Sequence, residues 1–257
     1  MQNIKVAVIQ SDIVWENKEK NYKNYQQKIQ NLASDINLIV MPEMFNTGFI
    51  MHPITSPSHE VDIIEWMYSQ VKGKDCAIVG SAATFTDSDK IANRLYFVTS
   101  DKTVHTYDKN HLFIHAGEDK KYVSGKKRKI IEYKSFRILL SVCFDLRFPV
   151  FNCNANDYDV LLNVACWPES RRGHWQALLK ARAIENQAFV IACNRVGNDP
   201  NFSYAGDSIV IDYNGDVLAH AKFDETILIS CLDKNKQINH REKFNFLKSQ
   251  DSFILNL

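Results

Sequence analysis

No hydrophobic run in this 257-residue sequence is long enough to cross a membrane, and charge of neither sign prevails. A membrane-spanning helix needs about 18 or more consecutive apolar residues, and the apolar runs here are much shorter. Lysine and arginine total 31 against 30 aspartates and glutamates, which gives a formal net charge of +1. Such a balance provides no long-range attraction to nucleic acid or to an anionic membrane. We therefore expect neither as a partner.

The N-terminal segment lacks the features of a secretory signal peptide. Its short apolar run is broken by Gln10, Ser11 and Asp12, and no small-residue cleavage site follows it. The six cysteines, at positions 76, 143, 153, 166, 193 and 231, include no C-x-x-C pair. Without an export signal, such cysteines are expected to be reduced thiols. The sequence therefore predicts a cytoplasmic protein.

Internal repeats, low-complexity segments and Pro/Gly/Ser-rich linkers are also missing. A length of 257 residues is compatible with one large domain or two small ones. Because no stretch has the composition of a linker, the sequence predicts one domain spanning residues 1–257.

Short runs rich in Val, Ile and Leu alternate with amphipathic stretches along the chain. Helical spacing of apolar residues predicts helices over residues 19–33, 60–72 and 171–187, and Asn214-Gly215 predicts a hairpin. The order of these elements favours an α/β sandwich with a mixed sheet. The apolar runs predict strands covered on at least one face, at residues 6–9, 38–41, 77–79, 95–98, 138–142, 160–165, 189–192, 208–211 and 226–231.

Three chemically reactive residue types follow predicted strands. Cys143 ends one apolar run, Glu43 comes shortly after another, and Lys109 follows the strand predicted at 104–108. Ligand sites in α/β sheets gather at the carboxyl ends of the strands, so a thiol, a carboxylate and an ammonium could meet there. Each residue also has an ordinary explanation, because lone cysteines are commonly buried structural residues and charged residues after strands are commonly solvated. From spacing alone, this cluster remains one hypothesis among these alternatives.

The segments around these residues resemble the three catalytic blocks of the nitrilase superfamily of carbon–nitrogen hydrolases. The blocks are PEMF at 42–45, YDKNHLF at 107–113 and CFDLRFP at 143–149, and they occur in the family's order. The resemblance extends from residue 5 to residue 208. It is strongest to the bacterial ω-amidase branch, which acts on 2-oxoglutaramate-type ω-amides. It implies a four-layer α-β-β-α sandwich, a homodimer and no cofactor or metal.

The resemblance also implies a role for each matched residue. Cys143 is expected to be the nucleophile, Glu43 the general base and Lys109 the stabiliser of the oxyanion. Glu118, which has Asp119 beside it, is expected to hold Lys109 in place. Amide hydrolysis needs these types because it requires a nucleophile, a proton carrier and positive charge near the carbonyl oxygen. Lys109 beside the cysteine is expected to favour the thiolate.

Substrate contacts are implied less directly. The backbone N–H of Phe144 is expected to join Lys109 in binding the oxyanion. Arg147 is expected to recognise a substrate carboxylate, because its planar fork suits that group; a structural ion pair is the alternative. Trp167 is expected to line the pocket or to be a core aromatic, and Phe45 is a further expected lining residue.

The sequence thus predicts a thiol amidase that converts a small 2-oxo dicarboxylic acid monoamide to the 2-oxo acid and ammonia. Alternatives are another amide, nitrile or N-carbamoyl substrate, or a non-catalytic binding protein that keeps the fold. The helix at 171–187 and the terminal residues 253–257 are candidates for a dimer interface, unless they pack within one chain. His111 and His115 are a weak zinc candidate, because no third ligand is evident. The basic stretch at 120–129 favours a solvated hairpin or loop.

Overall fold

The computed structural model describes residues 3–51, 59–86 and 88–256. Leu257, part of the predicted interface tail, lies outside these residues. Within them, two six-stranded sheets and a two-stranded ribbon are formed. The strands are β1 (Asn3–Gln10), β2 (Leu38–Val40), β3 (Ala77–Phe85), β4 (Ile91–Thr99), β5 (Val104–Asp108), β6 (Lys129–Tyr133), β7 (Phe136–Val142), β8 (Val160–Ala165), β9 (Phe189–Asn194), β10 (Val196–Asn198), β11 (Ser203–Ala205), β12 (Ile209–Ile211), β13 (Val217–His220) and β14 (Thr226–Asp233).

The described chain forms five α-helices. They are α1 (Lys18–Gln30), α2 (Glu60–Val71), α3 (Pro149–Asn152), α4 (Arg172–Asn186) and α5 (Lys234–Lys243). Of these, α1, α2 and α4 are amphipathic and cover the sheets from outside. Among the described residues, none of the five helices has the length and apolar character required to cross a membrane.

The strand order of each sheet explains why several loops meet at one edge. The first sheet has the order β14-β1-β2-β3-β4-β5 and the second β13-β12-β9-β8-β7-β6. β1, β2 and β3 are parallel, and β5 has the same direction because it is antiparallel to β4, which is antiparallel to β3. In the second sheet β7, β8 and β9 are parallel. Segments that follow β2, β5, β7 and β8 build the site described below.

Alternating residues divide the apolar side chains of the first sheet between two cores. In β1, Val6 and Val8 face the second sheet, whereas Ala7 and Ile9 face helices α1 and α2. A strand with apolar residues on both faces is typical of a sheet buried on both sides. Trp175 and other apolar residues of α4 cover the second sheet from outside. The layers are therefore helix, sheet, sheet and helix.

Each predicted strand and helix is present, with small differences at the ends. The helix predicted over 19–33 ends at Gln30, where Asn31 caps it. Leu32, counted in the predicted stripe, still packs against the same core from beyond the helix. The predicted hairpin joins β12 and β13, which are antiparallel.

Five elements were not predicted, namely α3, β6, β10, β11 and α5. The elements α3, β10 and β11 have only three or four residues, too few for a periodic pattern. β6 begins at Lys129, the last residue of the basic stretch, and forms an antiparallel pair with β7. α5 carries almost no apolar residues and buries Gln237, whose amide donates hydrogen bonds to the carbonyls of Asp159 and Gln187. Polar contacts rather than an apolar stripe therefore place α5.

Candidate active site

The turn after β7 presents the Cys143 thiol to the space between the sheets. β7 ends at Val142, and the next residues form a short 3-10 turn over Cys143–Arg147. Cys143 has φ +46°, in the left-handed region that residues with side chains rarely adopt and that costs about 1–3 kcal/mol. Its side chain is only 8 % exposed. The strained backbone therefore fixes the thiol at the edge of the sheet.

The carboxylate of Asp145 holds this turn in place. One oxygen accepts hydrogen bonds from the Tyr107 hydroxyl (2.7 Å) and the Val142 N–H (3.0 Å). The other accepts from the His111 N–H (2.9 Å) and lies 2.7 Å from the His111 ring Nδ1. Asp145 thus connects the turn after β7 to the segment after β5. The sequence analysis missed this role, although Asp145 lies inside the resembling block.

Glu43 is fully buried and has a partner on each carboxylate oxygen. Its Oε1 accepts from the Asn93 amide (2.7 Å) and from Lys109 Nζ (2.9 Å). Its Oε2 accepts from the backbone N–H of Cys166 (2.7 Å). Because Cys166 directly follows β8, the second sheet fixes the orientation of a carboxylate that belongs to the first.

Lys109 lies between two carboxylates in a fully buried cluster. Besides its contact with Glu43, its Nζ donates to both oxygens of Glu118, at 3.1 and 2.9 Å. Glu118 also accepts from the Phe113 N–H at 2.6 Å. Asp119 is exposed, so Glu118 is the acid that contacts the lysine.

Charge within the cluster keeps Lys109 protonated. Burial alone would lower the pKa of the ammonium, but Glu118 and Glu43 outweigh this effect and raise the pKa of Lys109 well above its usual value. Burial raises the pKa of Glu118, while Lys109 opposes this shift. A permanently positive Nζ beside the thiol is what stabilisation of an oxyanion requires.

The thiol itself is held in its neutral form. Burial raises the pKa of Cys143 well above its usual value, and the nearby Glu43 carboxylate raises it further. Lys109 lowers the pKa of Cys143, which is the direction expected of a cation that favours the thiolate, but this effect is smaller than the combined effect of burial and Glu43. Nucleophilic attack needs a base, and Glu43 is in position to accept the proton.

A cavity that is open to solvent lies beside Cys143. Lys109, Phe144, Arg147 and Trp167, which were predicted to share one pocket, are among its lining residues. Among the described residues, the lining consists of Phe49, Lys109, Phe113, Cys143, Phe144, Arg147, Cys166, Trp167, Pro168, Arg171 and Phe202.

Phe45 does not line this cavity. It packs on the helix side of the first sheet, against Tyr25 and Trp66 with ring centroids 5.8 and 5.5 Å away. The reason is local, since Met44 has φ +45° and the chain reverses directly after Glu43. Phe49, four residues later, lines the cavity instead and lies under Lys109 Nζ, 5.4 Å from its ring centroid.

Arg147 and Trp167 form adjacent parts of the cavity wall. The Arg147 guanidinium lies 5.5 Å from the Trp167 ring and 5.7 Å from the Phe144 ring. Its Nη2 donates to His174 Nδ1 at 3.1 Å. Among the ion pairs of the described residues, none includes Arg147, so the alternative of a structural ion pair has no support in them. Trp167 is 3 % exposed and also packs on Trp175, so it is both a core aromatic and a lining residue.

His111 and His115 have different environments. His111 bonds Asp145 and stacks on Phe148 with centroids 3.8 Å apart, whereas His115 is exposed. In the part of the chain that the structure describes, no group of three or more His, Cys, Asp or Glu side chains is arranged to hold a metal ion.

Asn93 and Cys166 are site residues that the sequence analysis missed. The Asn93 amide bridges the two carboxylates, at 2.7 Å from Glu43 and 3.3 Å from Glu118. A signal existed, because Asn93 and Arg94 are two polar residues that interrupt the mainly apolar strand β4. Cys166 contributes its backbone N–H, which no side-chain pattern reveals.

Comparison with known proteins decides the family. Residues 5–238 match the carbon-nitrogen hydrolase family. The chain belongs to this family. It is therefore a hydrolase of carbon–nitrogen bonds, and the predictions of the nitrilase superfamily and of its four-layer sandwich are confirmed.

Relatives of this carbon–nitrogen hydrolase share most of their length with it. Omega-amidase YafV of Escherichia coli K12 is 41 % identical over 257 residues, covering 99 % of this chain and 100 % of the relative. The 2-oxoglutaramate amidase of Paenarthrobacter nicotinovorans is 31 % identical over 245 residues, covering 88 % and 83 %. The carbon–nitrogen hydrolase superfamily protein XC1258 of Xanthomonas campestris has a TM-score of 0.93 and 34 % identity over 100 % of both chains, and its structure carries an arsenic adduct in the active site.

Proposed function

We propose that this carbon–nitrogen hydrolase is an ω-amidase that converts 2-oxoglutaramate and similar 2-oxo dicarboxylic acid monoamides to the 2-oxo acid and ammonia. The observation that carries the proposal is the cavity beside Cys143, which has the buried Glu43–Lys109–Glu118 cluster on one side and Arg147 on its wall. The relatives named omega-amidase and 2-oxoglutaramate amidase support the same activity.

The first half of the proposed reaction forms a thioester. Cys143 Sγ attacks the amide carbon while Glu43 accepts the thiol proton. Negative charge develops on the former carbonyl oxygen, where Lys109 Nζ and the Phe144 N–H stabilise it. When the C–N bond breaks, Glu43 returns the proton to the leaving nitrogen, and ammonia departs.

The second half releases the acid. Glu43 accepts a proton from a water molecule, whose oxygen attacks the thioester carbon. The C–S bond then breaks, the proton returns to Cys143, and the carboxylic acid leaves. Two hydrogen bonds from Asn93 and the Cys166 N–H keep Glu43 oriented for both steps. These reaction steps start from a neutral Cys143 thiol and a protonated Lys109.

Arg147 is proposed to bind the substrate carboxylate. Arginine offers a planar fork that matches a carboxylate, and this guanidinium faces the cavity between Phe144 and Trp167. Replacement by glutamine should raise KM for 2-oxoglutaramate more than it lowers kcat, because the lost contact is made in the ground state as well as in the transition state.

We also propose a homodimer in the cytoplasm. Ile184 on α4 and Ile254 in the C-terminal segment are 49 % and 87 % exposed. A contact with a second copy would remove these two apolar side chains from water, which is favourable. Light scattering at micromolar protein concentration should give about twice the 29.6 kDa chain mass, and a 29.6 kDa species would contradict the dimer.

Ammonia release from 2-oxoglutaramate tests the proposed activity. The wild-type protein should release ammonia, and Cys143→Ala should not. Cys231→Ala is a matched control, since Cys231 is an exposed thiol on β14, and it should retain activity. Activity of Cys143→Ala equal to wild type would overturn the mechanism. Faster turnover of a nitrile, an N-carbamoyl compound or another amide in a side-by-side panel would replace the substrate but keep the catalytic residues.

A further inference from the structure

Arg171 is the second guanidinium of the cavity wall. It ends the 3-10 turn over Glu169–Arg171 that follows Pro168, and neither the resemblance nor the relatives' names assign it a role. The indole N–H of Trp167 donates to the Arg171 carbonyl at 2.8 Å, so the backbone of this turn is fixed to the pocket wall.

Packing against an aromatic ring, rather than an ion pair with a carboxylate, sets the position of the Arg171 side chain. Its guanidinium lies 4.8 Å from the centroid of the Phe113 ring. Its Nη2 is buried and has no hydrogen-bond partner among the described residues. No salt bridge of the described chain includes it either. A buried donor of a charged group that has no acceptor destabilises the site, because its contact with water is lost and not replaced. A ligand that accepts from this nitrogen would remove this destabilisation.

The charges of the side chains around the cavity indicate the charge of the ligand that it binds. Lys109, Arg147 and Arg171 contribute three positive charges around the cavity, while Glu43 and Glu118 contribute two negative ones and the thiol is neutral. One positive charge remains uncompensated. Burial lowers the pKa of Arg171, and the neighbouring Arg147 acts in the same direction. A ligand with a single carboxylate would neutralise the cavity, whereas an ammonium group near the two guanidiniums would be repelled.

We propose that Arg171 is a specificity-determining residue that binds the substrate carboxylate together with Arg147. The two guanidiniums approach one carboxylate from different parts of the wall. They thereby select short amides that carry a carboxylate without a neighbouring ammonium group. This inference deepens the proposed function and rests on it for the position of the scissile amide at Cys143.

The test separates carboxylate recognition from catalysis by changing the substrate. Arg171→Gln should raise KM for 2-oxoglutaramate and for succinamate by about 10- to 100-fold, the value of one hydrogen bond to a charged group. The fall in kcat/KM for butyramide, which has no carboxylate, should be at least about 10-fold smaller than the fall for succinamate. Arg171→Lys keeps the charge but loses the planar fork, so its KM should lie between those of the wild type and Arg171→Gln. Lys180→Gln removes the same charge from an exposed position of α4 and should change neither KM.

Binding gives a second measurement that does not depend on turnover. Titration of 2-oxoglutaramate into Cys143→Ala should give a Kd that rises about 10- to 100-fold when Arg171→Gln is added. Thermal unfolding of each variant shows whether the fold is retained. Equal losses for carboxylate-bearing and neutral amides, or no loss for either, would overturn the role of Arg171 and leave the proposed function intact.

Different results would contradict the proposed function itself. A wild-type enzyme that prefers succinamate to 2-oxoglutaramate would overturn the 2-oxo preference, while the Arg171 effect would still be measured on succinamate. A wild-type enzyme that hydrolyses only neutral amides would overturn both proposals.

Discussion

The Tyr107 hydroxyl donates a 2.7 Å hydrogen bond to the carboxylate of Asp145, across the interface of the two sheets. Tyr107 belongs to β5 of the first sheet, and Asp145 to the turn after β7 of the second. The same carboxylate accepts from the Val142 N–H, directly before the nucleophile. The hydrogen bond between Tyr107 and Asp145 therefore fixes the position of Lys109 on one sheet relative to Cys143 on the other. Tyr107 and Asp145 do not themselves touch the reacting atoms.

Asp145→Asn should weaken both the fold and the site. The carboxylate accepts from donors on both oxygens, and an amide would turn its NH₂ group toward at least one of them. We expect a loss of about 1–3 kcal/mol in the free energy of unfolding and a fall in kcat. Thermal denaturation and steady-state kinetics measure the two effects. Tyr107→Phe removes only one donor and should have a smaller effect; an Asp145→Asn protein with wild-type stability and kcat would contradict this positioning role.

Glu43→Gln should make the Cys143 thiol more reactive towards alkylation while it strongly lowers the rate of amide hydrolysis. The Glu43 carboxylate raises the pKa of the thiol, so removing its charge lowers that pKa and more thiolate forms at a given pH. Amide hydrolysis nevertheless loses its proton carrier and should fall by about 10²–10⁴-fold.

Alkylation by iodoacetamide across a pH series checks this prediction. The midpoint for Cys143 should move to lower pH in Glu43→Gln, whereas the exposed Cys231 supplies an unchanged internal reference. A midpoint that stays in place or moves to higher pH would contradict the pKa assignment.

Glu118→Gln should shift the alkaline limb of the pH–rate profile to lower pH. Glu118 is the largest favourable contribution to the raised pKa of Lys109. Without its charge, Lys109 loses its proton at lower pH, and the oxyanion loses its positive partner. Asp119→Asn is the matched control, because it removes an exposed neighbouring charge. An identical alkaline limb in both variants would show that Glu118 does not act through Lys109.

Gly125→Ala should displace Lys109 through the backbone. The Gly125 N–H donates to the Lys109 carbonyl at 2.9 Å, and an added Cβ would lie 2.1 Å from the Asp108 carbonyl oxygen. The segment must therefore move, and we expect lower thermal stability together with lower kcat. Gly173→Ala is a control with no heavy atom within 4 Å of the added Cβ. Equal stability and activity of the two variants would contradict this prediction.

Strand ends and the sandwich could be predicted from sequence because apolar runs and resembling blocks mark them locally. Glu43, Lys109 and Cys143 were predicted together for this reason, and the structure brings them to one cluster. Phe45 was misplaced because the chain reversal at Met44 depends on a backbone conformation that the sequence pattern does not reveal.

The supporting residues are harder to predict because they act through contacts between distant segments. Asn93 and Cys166 each donate a hydrogen bond to Glu43, and Asp145 accepts one from Tyr107. In each case the partner is far away in the sequence. Arg171 is recognisable only once its lack of a partner and its place on the cavity wall are known. The raised pKa of the Cys143 thiol could not be predicted from sequence either, because burial affects it more strongly than the charge of Lys109 does.

Mass spectrometry of the enzyme quenched in acid during turnover of 2-oxoglutaramate measures the covalent intermediate directly. The account predicts a mass increase equal to one acyl group, located on the peptide that contains Cys143 and absent from Cys143→Ala. Turnover at the wild-type rate with the acyl group on another residue, or by the Cys143→Ala protein, would contradict it.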